Sequence, residues 1–134
     1  MKTWRIAGIN FNHMHMGDQL RLVHEHPNAE IVGICHEDPA VMQASIRNFS
    51  IPDDRVFTDY NECMETTTPD FVVLCPSTET HAEWTVKLAE YSPHIMIEKP
   101  FLDGQDNLYT MALVEAAYKS VKMKRAVPIS EITG

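Results

Sequence analysis

Short apolar runs alternate with helix-like segments through roughly the first hundred residues, and this alternation constrains the fold more than any other feature of the sequence. The runs do not alternate apolar with polar side chains, which is typical of strands buried on both faces of a parallel sheet. We predict strands at residues 4–9, 30–35, 55–57, 71–75 and 94–97, and helices at 14–26, 38–49, 60–65 and 80–90. The second helix begins at Asp38-Pro39, because Asp caps free helix amides and Pro suits a first turn. The predicted fold is α/β, a doubly wound, mostly parallel sheet with helices on both faces.

Composition excludes several classes of protein. The 134 residues carry 11 basic and 19 acidic side chains, and the net charge of -8 argues against nucleic acid or an anionic membrane as a partner. The longest apolar run, at 71–75, is too short to cross a bilayer, and residues 1–5 lack the apolar stretch of a secretory signal, so we expect a cytoplasmic protein. Cys35, Cys63 and Cys75 lack the paired spacing of a zinc or redox site and are interpreted as reduced thiols.

The charge changes sign near residue 105. Residues 1–107 hold 7 basic and 17 acidic side chains, whereas residues 108–134 hold 4 basic and 2 acidic ones. Apolar residues at helical spacing in this last part predict one long helix over about 108–121, capped by Asp106, and a short extended tail at 126–129 follows. We therefore divide the chain into a first domain at 1–104 and a C-terminal helix and tail at 105–134.

Ligands of an open parallel sheet bind outside the carboxyl ends of the strands, where the strand order reverses. This rule selects four loops, at residues 10–13, 35–37, 75–78 and 98–100. The four segments are scattered in sequence, but the predicted topology brings them to one edge of the sheet. We expect them to line one crevice.

The first loop is the expected place for a turn that cradles phosphate. Such a turn usually reads Gly-x-Gly-x-x-Gly, and here the equivalent stretch is Asn10-Phe11-Asn12-His13-Met14-His15. Asn10 can still form the turn, because Asn tolerates a positive φ better than most residues. Asn12 adds a side chain where backbone should meet phosphate, and His15 adds bulk where helix and strand should pack closely. By itself this motif is weak.

The second and fourth loops carry further candidates. An acid at the end of the second strand normally binds the ribose hydroxyls of a dinucleotide, and His36 stands in that position with Glu37 behind it. Either Glu37 takes that role or His36 is an exposed loop histidine, and the sequence leaves both open. Lys99, next to Glu98 in the fourth loop, has the chemistry to donate to a substrate hydroxyl or to carry its proton. A surface ion pair is the alternative, and the residue types alone favour it.

Several stretches, taken in order, resemble the nucleotide-binding domain of the Gfo/Idh/MocA family, the glucose–fructose oxidoreductase and inositol dehydrogenase type. They lie at 5–9, 26–35, 56–60, 69–83 and 97–102. The segment from Pro76 to Glu83 is close to the family's Ala-Thr-Pro-Asn-x-x-His-Ala-Glu, and Glu98-Lys99-Pro100 matches its Glu-Lys-Pro signature. The resemblance covers about residues 4–102 and implies a Rossmann-type sheet that binds NAD or NADP.

The resemblance also implies roles for individual residues. The family's enzymes act on CH–OH groups of sugars, inositols and related compounds, and the lysine of the signature lies beside nicotinamide and substrate, which makes Lys99 the candidate catalytic residue. The candidate cofactor-binding residues are Asn10, Phe11, Asn12, His13, His36, Glu37, Cys75, Pro76, Ser77, Thr78, Glu98, Lys99 and Pro100. The missing glycines, His36 in place of an acid and Ser77 in place of a proline are departures that bear on cofactor affinity and on the choice between NAD and NADP.

The length is the largest departure from the family. Its members carry a second α/β domain that supplies the substrate pocket, whereas here Leu102 is followed almost directly by a stretch, 107–132, that resembles the family's last helix and tail. We expect the second domain to be missing, with a seam near 103–105, so that the chain alone does not turn over a sugar or polyol. Homo-oligomers are possible.

Two other interpretations stay open. The chain could be a non-catalytic module that binds a nucleotide weakly or mediates dimerisation. Alternatively, the run His13-Met14-His15-Met16, with His24 and His26 further on, could bind a soft metal such as copper or zinc. Met16 fits the apolar stripe of the helix, which disfavours the second interpretation, and we assign no metal ligands from the sequence.

Overall fold

The computed structural model describes residues 2–99 together with Lys119, Met123 and Glu131. The chain divides into two compact units, Met1–Glu98 and Lys99–Gly134. The predicted boundary after residue 104, the helix at 108–121 with its cap Asp106, the tail at 126–129 and Pro100 lie outside the described residues. Within the described part, no helix has the length and apolarity to span a membrane.

The first unit is built on a five-stranded sheet in which all neighbouring strands are parallel. The strands are β1 (Trp4–Phe11), β2 (Ala29–Cys35), β3 (Val56–Phe57), β4 (Phe71–Cys75) and β5 (His94–Ile97), in the spatial order β3-β2-β1-β4-β5. All five predicted strands are therefore confirmed. β1 is longer than predicted because the chain passes through a bulge at Asn10 and pairs again at Phe11 with Cys75.

Four α-helices connect the strands. They are α1 (His15–Glu25), α2 (Gln43–Phe49), α3 (Tyr60–Thr67) and α4 (His81–Ala89), with 3-10 turns at Pro39–Met42, Asp53–Arg55 and Thr78–Thr80. The predicted cap is confirmed, since the Asp38 carboxylate accepts a hydrogen bond from the Ala40 amide at 2.9 Å. This cap opens a 3-10 turn rather than one long helix, so the element predicted at 38–49 is in fact a 3-10 turn followed by α2.

The core has two parts, one on each face of the sheet. Val72 and Leu74 of β4 pack into one part, and Val73 and Cys75 into the other, because successive strand residues point to opposite faces. Helices α3 and α4 supply Cys63, Met64 and Leu88 to the first part. Helices α1 and α2 and the preceding turn cover the second, with Met16, Leu20, Val23, Met42 and Ile46. Helices on both faces confirm the doubly wound α/β fold.

The glycine that lets α1 approach β1 closely is Gly8, which lies in the strand and not at the start of the helix. A Cβ atom at Gly8 would lie 3.1 Å from Met16 Sδ and 3.3 Å from Leu20 Cδ2. His15 stands where the usual motif has its last glycine, and we expected its bulk to hinder this packing. The expectation is wrong, because the His15 side chain is partly exposed and bonds Glu98 instead of facing the strand.

Candidate functional site

The strand order reverses between β1 and β4, and a cavity of about 370 Å³ opens at the carboxyl ends of the strands there. Five of the residues predicted from the sequence line it: Asn10, Asn12, His36, Glu37 and Ser77. The other lining residues are Cys35, Thr58, Asp59, Tyr60, Thr80, Glu83, Trp84 and Lys87. Three of the four predicted loops thus meet in one cavity, together with the loop after β3, whereas Glu98 and Lys99 of the fourth loop do not line it. Its volume falls in the range of small-molecule sites.

Asn10 forms the turn that leaves β1. Its φ is 62°, in the left-handed region, which confirms that Asn replaces the first glycine of the usual motif. The turn is held by the Asn12 amide, which donates to the Cys75 carbonyl at 3.0 Å. The Asn10 side chain is buried, and its Nδ2 finds no hydrogen-bond partner among the described residues. A buried amide without a partner is costly, and a ligand that reached this group after a small movement of the side chain would recover the missing hydrogen bond.

His36 connects the first loop to the second. His36 Nδ1 accepts from the Asp38 amide at 3.0 Å and also lies 3.2 Å from the Asp38 carbonyl oxygen. Its other ring nitrogen, Nε2, lies 3.2 Å from the Asn12 side-chain oxygen. His36 is buried and lies edge-on to Phe11, so the sequence alternative of an exposed loop histidine is wrong. Glu37 is exposed at the rim of the cavity.

The end of β4 forms one side of the cavity through backbone and hydroxyl groups. The Thr80 hydroxyl donates to the Ser77 carbonyl at 3.0 Å. The Ser77 hydroxyl lies 3.1 Å from the Thr80 hydroxyl. Cys75 is buried, and burial, with a smaller contribution from the Glu98 charge, raises the pKa of its thiol to about 12. The Cys75 thiol is therefore not a nucleophile at neutral pH. Pro76 is buried and Thr78 half-buried, and neither lines the cavity.

The far wall of the cavity is made by side chains that the sequence analysis missed. The Tyr60 and Trp84 rings meet edge to face with centroids 5.2 Å apart, and Lys87 Nζ lies 4.7 Å from the centre of the Trp84 ring. Lys87 also bonds Glu83 at 2.6 Å, and this hydrogen bond raises the pKa of the lysine. Thr80, Trp84 and Lys87 recur at helical spacing, which could have indicated a shared face but not what that face meets.

A second group of polar side chains lies near the start of α1, outside the cavity lining. His15 Nδ1 is 3.0 Å from Glu98 Oε2, and the rings of His13 and His15 have centroids 4.3 Å apart. One ligand atom from each of His13, His15 and Glu98 lies within 4.8 Å of the others. Lys99 is exposed and belongs to the second compact unit.

The sequence matches a family model described as an oxidoreductase family with an NAD-binding Rossmann fold, over residues 4–123. It is 34% identical over 94 residues to glycosyl hydrolase family 109 protein 1 of Akkermansia muciniphila, covering 65% of this chain and 19% of that protein. The fold is similar to that of GenD2 from gentamicin A biosynthesis, crystallised in complex with NAD, with a TM-score of 0.69 and 20% identity over 87% of this chain and 31% of that one. It is also similar to myo-inositol 2-dehydrogenase from Lactobacillus plantarum, with a TM-score of 0.64 and 20% identity over 87% of this chain and 34% of that one.

The chain spans about a fifth of the curated relative and about a third of these two solved structures. The solved structures support the Rossmann-type fold, and the family model covers most of the chain. The strand order, the cavity at the reversal of that order and the family match agree, and the chain belongs to the Gfo/Idh/MocA oxidoreductase family, whose domain at these residues is an NAD-binding Rossmann fold.

Proposed function

We propose that the cavity at the carboxyl edge of the sheet binds NAD, and that the chain is the cofactor-binding part of an oxidoreductase. The observation that carries this is the unpartnered Nδ2 of Asn10, a buried donor at the turn where a dinucleotide fold meets its ligand. Bound NAD would supply a hydride acceptor. Asn10, Asn12, His36 and Glu37 would hold its polar groups, and Trp84 with Tyr60 offers an apolar wall.

Charge favours NAD over NADP as the cofactor. Three acidic side chains, Glu37, Asp59 and Glu83, line the cavity against one lysine, Lys87. The Lys87 charge is already paired with Glu83 at 2.6 Å. The additional phosphate of NADP would meet this acidic lining, and like charges repel at close range. We therefore expect NADPH to bind more weakly than NADH.

Lys99 is the proposed proton carrier. Its place directly after Glu98, in the segment that matches the Glu-Lys-Pro signature, supports this role, as does its exposed side chain. A lysine beside a carbon that is being oxidised can take up or return the hydroxyl proton. In the isolated chain, the Lys99→Ala variant is expected to bind NADH more weakly, while Lys99→Arg stays near the unaltered protein. Equal affinity of all three proteins would count against the role.

The substrates are proposed to be sugars, inositols or related compounds that carry a CH–OH group. The named relatives support this, since one is an inositol dehydrogenase and another belongs to gentamicin biosynthesis. These relatives extend well beyond the region they share with this chain. We propose that a further domain selects the substrate, and that the 134 residues bind cofactor without turning over a polyol. The alternative is a non-catalytic nucleotide-binding or dimerisation module.

Tryptophan fluorescence tests cofactor binding directly, because the chain has two tryptophans in different places. Trp84 lines the cavity, whereas Trp4 lies at the opposite end of β1. In the Trp4→Phe variant, where Trp84 is the one remaining tryptophan, NADH should quench the emission saturably and at lower concentration than NADPH. In the matched Trp84→Phe variant this quenching should be lost. If neither cofactor gives saturable binding at millimolar concentration, the proposal is wrong and the dimerisation module is favoured.

A further inference from the structure

The cluster of His13, His15 and Glu98 lies outside the cavity assigned to NAD, and its composition is that of a metal site. Two imidazole groups and one carboxylate form the ligand set of several zinc enzymes and of non-haem iron sites. The three side chains come from distant parts of the chain, since His15 and Glu98 are separated by 83 residues. The fold brings them together where α1 begins and β5 ends.

We propose that His13, His15 and Glu98 bind one divalent transition-metal ion of the Zn²⁺ type, leaving coordination positions for water or an anion. Ligands about 2.0–2.2 Å from one metal, at tetrahedral or octahedral angles, are roughly 2.9–3.5 Å apart. His15 Nδ1 and Glu98 Oε2 already have this separation, at 3.0 Å. The third ligand atom lies within 4.8 Å of the others, so a small rotation of the partly exposed His13 ring completes the set.

The environment of Glu98 favours a cation at this position. Its side chain is only 8% exposed, and a carboxylate removed from water needs compensating charge or hydrogen bonds. Its charge also reaches the Cys75 thiol, whose pKa it helps to raise. His15, with 37% of its side chain exposed, gives the site access to solvent. A divalent ion would add attraction to this buried charge.

His13 presents an available lone pair. The His15 amide donates to His13 Nδ1 at 3.3 Å, so this nitrogen carries a lone pair rather than a proton. The hydrogen bond is long and can be given up for coordination. The proton on His15 Nδ1 would move to Nε2 on binding, so that Nδ1 coordinates as a neutral imidazole.

The other ligands weighed from the sequence are not part of this site. Met16 is buried against Gly8 in the core, His24 packs against the Phe49 ring, and His26 Nδ1 accepts the Asn28 amide at 3.1 Å. The three thiols are buried and their pKa values are raised to about 12, so they do not supply thiolate. None of the three metal ligands lines the cavity, so metal binding and NADH quenching of Trp84 are measured separately.

Two titrations of the tag-free protein test the proposal. Zn²⁺ binding is measured by calorimetry, and Co²⁺ binding is measured by visible absorption. We expect one equivalent to bind, a Co²⁺ spectrum without a thiolate charge-transfer band, and a rise in melting temperature. Glu98→Gln, which keeps the shape of the side chain, and His15→Ala should each weaken Zn²⁺ binding at least about tenfold, since even supporting groups of metal sites contribute that much. His26→Ala is the matched control and should leave binding unchanged.

Three outcomes would overturn the site. The first is Zn²⁺ binding that is unchanged in Glu98→Gln and His15→Ala when both melt cooperatively. The second is an equal loss in His26→Ala, which would indicate scattered surface histidines. The third is a Co²⁺ spectrum with thiolate character, which would move the ligands to the cysteines. NADH quenching of Trp84 is measured on the same variants, so a failure of this proposal is distinguishable from a failure of the nucleotide site.

Discussion

Adding a single methyl group at Gly33 tests how tightly α3 is held against the sheet. A Cβ at this position in β2 would lie 2.9 Å from Thr67 Cγ2, 3.0 Å from Cys63 Sγ and 3.3 Å from Phe57 Cε2. Thr67 cannot turn away freely, because its hydroxyl donates to the Cys63 carbonyl at 2.6 Å. Both helix residues are buried, so α3 itself has to move outward. Overpacking of this kind costs about 1–3 kcal/mol.

Thermal unfolding measures this cost. For a unit of this size, about 1 kcal/mol corresponds to roughly 4 °C, so Gly33→Ala should melt about 4–12 °C lower. The matched control is Gly17→Ala in α1, where a Cβ would meet nothing within 4 Å. Alanine favours a helix by about 0.5–1 kcal/mol over glycine, so the control should melt a few degrees higher. The melting temperature of Gly8→Ala should lie between those of the other two variants, because the nearest neighbour of its Cβ is the flexible Met16 thioether at 3.1 Å.

A Gly33→Ala protein that melts at the temperature of the unaltered chain would refute the reasoning. It would mean that α3 can shift away from the sheet at little energetic cost. A Gly17→Ala variant destabilised to the same extent would refute it differently, since the loss would then reflect glycine replacement in general. The cavity provides a second measurement, because α3 carries Tyr60 on its wall. NADH affinity should fall in Gly33→Ala and stay unchanged in Gly17→Ala.

Further predictions concern the cavity, the thiols and the amino-terminal ion pair. His36→Ala removes the hydrogen bonds that join Asn12 to Asp38 and should weaken NADH binding by up to about tenfold, because the ligand must then order this edge of the cavity. Unchanged affinity in a fluorescence titration would count against His36 as part of the site. The three cysteines should resist Ellman's reagent at pH 8 in the folded protein and react fully in guanidinium chloride, because burial raises each thiol pKa to about 12. Asp70 bonds Lys2 at 2.8 Å and the Arg5 amide at 3.0 Å, which lowers the pKa of its carboxyl below the usual 3.8. Its contribution to stability is present above that usual value and is lost as pH falls through the lowered one, so the stability difference from Asp70→Asn should be constant near neutral pH and shrink in acid urea melts.

Local signals predicted most of the fold. β4 begins and ends where its apolar run does, because a strand buried on both faces has no polar side to interrupt the pattern. β5 was predicted from its three apolar residues, although it begins at the exposed His94 and is only partly buried. The structure of the segment at 38–49 was harder to predict, since a capped start is compatible with both a 3-10 turn and an α-helix. The topology rule found the near side of the cavity, including Asn10 and His36, because strand ends are fixed once the strand order is known.

The rest of the site depends on tertiary contacts that leave no local pattern. Trp84 and Tyr60 meet across the space between α3 and α4, and neither sequence segment indicates the other. The approach of Glu98 to His15 follows from the register of β5 on β4, in which Ile97 pairs with Leu74, and residue types do not encode that register. The bulk expected of His15 had no steric effect, because the side chain leaves the interface that a glycine usually relieves.

The two hydrogen bonds of His36 have a consequence for the entropy of binding. The ring joins Asn12 of the first loop to Asp38 of the second, so the two loops are held to each other beside the cavity. Flexible loops lose conformational entropy when a ligand binds, which weakens binding. Loops that are already held in place lose this entropy when the protein folds, so the ligand does not have to order them. The histidine at the position where an acid is usual thus gives the cavity a preorganised edge.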